Sequence, residues 1–228
     1  MRNKIDRRGV LMAGAALGAT TALAALPGTA YAAPGAPSAE GTPGSRRWSG
    51  AKSANGWPVL EEAELFRIEG SGRSVRLAGG DAAVILLHVA RRFHYEIDQL
   101  RDGDVTGHST TRGAIQDYES NYLSGTALAI RPLAYPVGAK GGLYPHELVV
   151  VRDILAELDG VVGWGGDLPT PKESHFELAY GPGHPKVKGV ARTIRAWQAG
   201  PGSAGAGAVD AFDPERRSRS RAFARRTA

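Results

Sequence analysis

Two runs rich in Pro, Gly, Ala and Ser set the limits of what this 228-residue chain can fold. The first is APGAPSAEGTPGSRR, residues 33–47; the second is QAGPGSAGAGAV, residues 198–209. Neither has the apolar content to build a core, and both read as spacers. A core must therefore come from residues 48–198, a common size for one domain. The chain has no cysteine. That excludes a disulfide framework, a thiolate metal site and a cysteine nucleophile, and leaves packing to hold the fold.

The ends lie outside that domain. Residues 1–32 read as an export signal: a basic start with Arg7-Arg8, an uncharged run from Gly9 to Leu26, then the small-residue site Ala30-Tyr31-Ala32. The paired arginines predict the twin-arginine pathway. A membrane helix is the competing reading, and the cleavage site directly after the run weighs against it. No other run is apolar enough to span a bilayer. The expected location is extracellular or cell-wall associated, with no membrane span after cleavage.

The net charge of +5 is concentrated at the ends. The signal carries +3 and residues 214–228 carry +5, so the remainder carries −3. A mildly acidic domain argues against nucleic acid as the partner. Residues 199–228, Gly/Ala-rich and then arginine-rich, are expected to be disordered; weak adhesion to an anionic wall or membrane surface is the alternative for that tail.

Inside the domain the patterns are mixed. LFRIEG and SVRLA predict a hairpin around Gly70-Ser71-Gly72. Asp81 is placed to cap a buried helix, AAVILLHVARR. FHYEID alternates like a half-buried strand, and residues 102–119 read as a polar loop. TALAI, VVGWGG and HFELAY predict strands. Pro145 opens a helix, HELVVVRDILAEL, that Gly160 follows, and a last helix covers Pro185 to Trp197. Strands and helices without βαβ alternation predict an α+β fold: a single compact domain with a small antiparallel sheet flanked by helices.

Three segments fall in a telling order: SNYLSGTALAIRP at residues 120–132, WGGD at 164–167 and HFE at 175–177. Together they resemble the D-alanyl-D-alanine carboxypeptidase-like zinc peptidases, which include vancomycin-resistance dipeptidases and phage endolysins. The family frame is SxHxxGxAxD, followed later by an acidic residue three positions before a His in HFE. Ser120, Gly125 and Ala127 match the frame, and the resemblance covers most of residues 93–197. It implies a DD-peptidase-like fold and a zinc ion held by His, Asp and His, with the acidic residue activating a bound water.

Carried over by position, those roles fall on Tyr122, Ala129, His175 and Lys172. Only His175 keeps a ligand. Alanine has no donor atom, and a phenol with a reference pKa of about 10 is not among the usual zinc ligands. A charged lysine cannot accept a proton. Glu173, one residue on, is a weak candidate base. Ser120, Tyr122, Trp164, Asp167, Phe176 and Glu177 are expected to line the cleft.

The remaining histidines are candidate replacements. His108 is the best placed in sequence; His88, His94, His146 and His184 read as core-edge, strand or helix-start residues. A site rebuilt from His108, His175 and Asp167 has no support from spacing. Ser120 or Ser124 with His175 and Asp167 lacks a nucleophile-elbow sequence, and GGLYP lacks the strand–loop–helix context of a phosphate loop. The resemblance implies a secreted, cell-wall-associated protein that is catalytically degenerate, has no cofactor and binds wall peptides or a protein partner. The alternative is an active zinc carboxypeptidase or endopeptidase that cuts peptidoglycan through a rearranged site. The sequence sets no oligomeric state.

Overall fold

The short run HFEL decides how the sheet faces. In a strand, successive side chains point to opposite sides, and Phe176 and Leu178 are fully buried in the core. His175 and Glu177 are therefore turned to the other face. The computed structural model describes residues 46–114, 116–200 and 209–227, all within one compact unit, Gly41–Ala228.

Eight strands and four helices occur along the described residues: β1 (Arg46–Arg47), β2 (Glu64–Ile68), β3 (Arg73–Leu77), α1 (Asp81–Glu96), β4 (Val105–Thr106), β5 (Gly113–Ala114), β6 (Ala127–Ile130), α2 (Pro145–Glu157), β7 (Val162–Trp164), β8 (His175–Leu178), α3 (Pro185–Ala199) and α4 (Pro214–Thr227). Short 3₁₀ turns cover Asp117–Tyr122 and Gly165–Asp167. The main sheet is antiparallel, in the order β4-β6-β8-β7. β2 and β3 form the expected hairpin, and β1 pairs with β5. α1 packs across β6 and β8, α2 against β7, and α3 against α1. Ile85, Leu86, Val89 and Phe93 of α1 meet Leu128, Ile130, Phe176 and Leu178 in one core. This is an α+β domain with a small antiparallel sheet flanked by helices.

Several expectations are corrected. FHYEID is not a strand: α1 runs on to Glu96. Phe93 extends the buried stripe of Ile85, Leu86 and Val89 at helical spacing, while Tyr95, its partner in the strand reading, is 51% exposed. The cap of α1 is Gly80, with φ 73°; Asp81 is the first helical residue and pairs with Arg195 at 2.8 Å. The domain begins before Trp48, because Arg46 and Arg47, assigned to the spacer, form β1. Residues 102–119 contain β4, β5 and the start of a 3₁₀ turn. The export signal, the rest of the first spacer and residues 201–208 lie outside the described residues.

The largest correction is the arginine-rich tail, which forms α4 and packs along α2. Its anchor is electrostatic. Arg216 donates to Asp153 at 2.5 Å and to Glu157 at 2.9 Å. Arg92, fully buried, meets the same two carboxylates at 2.9 and 3.0 Å and donates to Glu96 at 2.7 Å. His88 lies 2.8 Å from Glu157. Burial alone would raise the Glu157 carboxyl, but the His88 hydrogen bond and the Arg92 charge override it and hold it at about 2. Sequence composition counts six arginines as solvated; it does not register that one of them meets two buried acids.

Candidate functional site

Two stretches of the chain, 118–129 and 165–177, meet on the second face of the sheet. The β6–β8 register sets Ala129 directly opposite His175. The 3₁₀ turn ahead of β6 delivers Tyr122, whose hydroxyl lies 2.8 Å from His175 Nδ1. On the other side of the ring, Nε2 lies 3.0 Å from Glu177 Oε2. Burial lowers the His175 pKa, against the pull of Glu177 and with help from the Lys172 charge. The ring is therefore neutral at neutral pH, with one donor nitrogen and one acceptor. Tyr122 donates to Nδ1 and the Nε2–H donates to Glu177. Burial raises the Tyr122 phenol far above its usual range and keeps its proton in place.

Lys172 covers this chain. Its ammonium sits 5.1 Å from the Tyr122 ring and 5.8 Å from the Tyr118 ring, and 3.5 Å from Glu119. Tyr118 also packs on His175, with ring centroids 4.7 Å apart, and burial raises its phenol to about 12. Asn121 donates to Glu177 and accepts from the Asn55 N–H at 3.1 Å. Gly165 makes the arrangement possible. A Cβ there would stand 2.2 Å from the Lys172 carbonyl and 2.8 Å from His175 Cβ, so only glycine lets the 172–175 turn lie this close.

Ala129, Tyr122, Lys172 and His175 thus come together. Both nitrogens of His175 have protein partners, and a cation beside them would face the Lys172 ammonium. Among the described residues, no three His, Cys, Asp or Glu side chains are placed to hold a metal ion.

The remaining candidates separate. Glu173 is not poised as a base: its carboxylate accepts the Gly141 and Gly142 N–H groups at 2.7 and 2.8 Å and pins that loop. Phe176 is core, not cleft wall. Ser120 accepts from the Ala54 N–H at 2.8 Å and donates to the Asp117 carbonyl at 2.6 Å. Ser124 donates to the Asn121 carbonyl. Asp167 forms a two-pronged pair with Arg152 at 2.5 and 2.6 Å, so no Ser–His–Asp triad assembles. His108 lies 2.9 Å from the Leu60 carbonyl, well outside the cluster in its partners. Trp164 donates to the Glu173 carbonyl at 2.8 Å.

Sequence reasoning missed Tyr118, Glu119 and Asn121. The signal was the local run DYESNY, whose tight turn places both tyrosines against one histidine. A cleft of about 630 Å³ opens beside the cluster. His175, Glu177, Trp164, Arg152 and Asp167 line it on one side; Phe223 and Thr227 of α4 close the other. No protein-family model matches the chain, and no curated protein or solved structure matches it.

Proposed function

We propose that this chain is an exported, cell-wall-associated relative of the D-alanyl-D-alanine carboxypeptidase-like peptidases that has given up zinc catalysis and holds a wall peptide, or a protein partner, in its cleft. One observation carries the reading: the residues standing at the lost ligand and base positions gather around His175. Tyr122 takes Nδ1, Ala129 leaves space across the strand pair, and Lys172 supplies a positive charge. A hydrogen-bonded cluster of the protein's own side chains takes the place of a cation site.

The cleft suits an extended peptide. β7 is an edge strand of the main sheet, and its backbone can pair with an added strand. Gly163 and Gly165 leave the wall without side chains there, beside Trp164 and the Arg152–Asp167 pair. The volume is within the usual range for sites that take small ligands.

Sedimentation with purified, insoluble peptidoglycan tests this. The chain is expected to co-sediment, and Gly163→Leu, which would fill the cleft where a Cβ meets only ordinary contacts, is expected to release it. A chain that stays in solution, or a G163L variant that binds as well as the original, contradicts the reading. Zinc-dependent release of soluble peptide fragments would contradict it from the other side.

A further inference from the structure

A second surface lies where α4 packs on α2, sharing Arg152 and Ala224 with the edge of the cleft. Arg216, Ser220 and Phe223 face inward. Arg217, Arg219, Arg221, Arg225 and Arg226 are exposed, and Glu215 is the only acid on the helix. Among the described residues, the ion pairs of α4 all run through Arg216. Arg217, Arg221 and Arg225 recur every four residues, so they form one stripe.

That stripe borders a groove. About 220 Å³ of open space is floored by Leu148 and Val149 of α2 and Ala224 of α4, with Arg217 and Arg221 on the rim. Pro145 closes one end, next to Tyr144, whose side chain is 67% exposed. The space falls below the usual range for a small-molecule pocket. Its chemistry is that of an amphiphile: positive at the edge, apolar at the floor.

We propose that the α2–α4 face docks on an anionic phospholipid surface, with Arg217, Arg221 and Arg225 on headgroup phosphates and the Leu148–Val149 floor against acyl chain. A water-soluble polyanion would satisfy the arginines and leave the apolar floor unused, which is why a lipid is the occupant that fits. The contact is peripheral; no helix of the described residues is long and apolar enough to cross a membrane.

The test is sedimentation of the full chain with vesicles of phosphatidylcholine alone, or with about a third phosphatidylglycerol. Binding is expected to rise steeply with the anionic lipid. Reversing all three charges in R217E/R221E/R225E is expected to weaken it by more than about 100-fold, at about five-fold per arginine near the surface. The basic, apolar N-terminus is common to every variant, so the loss isolates α4. Val149→Asn is expected to weaken vesicle binding several-fold while leaving binding to inorganic polyphosphate and the circular dichroism spectrum unchanged. Equal binding to both vesicle types, or a triple variant that binds like the original, overturns the proposal. So does a V149N variant with unchanged vesicle binding when polyphosphate strips the original from vesicles, because that is the behaviour of a polyanion site.

Discussion

His175 shows how little of a side chain's role is fixed by its identity. As a lone motif residue it reads as a surviving zinc ligand. In place, its Nδ1 accepts a hydrogen bond from a buried phenol and its Nε2–H donates one to Glu177. Removing the Tyr122 hydroxyl leaves a buried acceptor without its donor, so Tyr122→Phe is expected to cost about 1–2 kcal/mol in urea unfolding. The lowered His175 pKa also has a sign. Below the unfolded value of about 6.5 the unfolded chain binds the proton more readily, so stability is lost as pH falls through that range. The thermal midpoint is expected to drop between pH 7.5 and 5.5, and to drop less in His175→Gln. An equal drop in both proteins would refute the assignment. Tyr122, Ala129 and Lys172 were legible as positions, because the spacing of the resembled motif places them. Their bonding was not: a 3₁₀ turn brings Tyr118 and Tyr122 to the same ring, and no alternation pattern encodes that.

Among the elements, α2, α3 and the β2–β3 hairpin were the most readable, since helical spacing after a proline and turn glycines leave few options. Gly125 illustrates why a motif glycine is required. Its φ is 64°, and a Cβ would lie 2.5 Å from the Ala78 nitrogen. Gly125→Ala is expected to cost at least about 2 kcal/mol by chemical denaturation, from left-handed strain plus the clash. FHYEID was misread because a period of two and a period of 3.6 overlap across six residues. The buried Arg92–Glu96 pair, one helical turn apart, favours helix there. α4 was misread because composition weighs charge against apolar content and does not see a partner. Arg216→Ala would leave Asp153 and Glu157 short of one counter-charge. It is expected to cost about 2–3 kcal/mol, toward the low side for a buried pair because Arg216 is 20% exposed. Loss of the far-UV helix signal from residues 214–227 alone, with unchanged stability, would show that α4 merely rests on the fold.

For the molecule as a whole, two surfaces differ in chemistry. The sheet face holds a hydrogen-bonded polar cluster beside a cleft of about 630 Å³; the α2–α4 face holds arginines around an apolar groove. The ion network of His88, Arg92, Asp153, Glu157 and Arg216 joins α1, α2 and α4 and ties the tail to the core. Glu157 makes this tie acid-sensitive. Its folded pKa of about 2 lies below the ordinary 4.5, so the stability it adds is present above 4.5 and is lost as pH falls from there toward 2. The overall class was legible because segment order and the absence of βαβ alternation restrict it. The joining of three helices by buried charge was not, because each partner lies far from the others in sequence. Everything turns on whether Tyr122, Ala129 and Lys172 replaced a cation. The most direct measurement is the zinc content of the purified full chain beside that of Y122H/A129D/K172E, which places the ligands and base of the resembled motif at those positions. Zinc is expected well below one equivalent in the original and close to one in the triple variant. A full equivalent in the original, lost on His175→Ala, would contradict it.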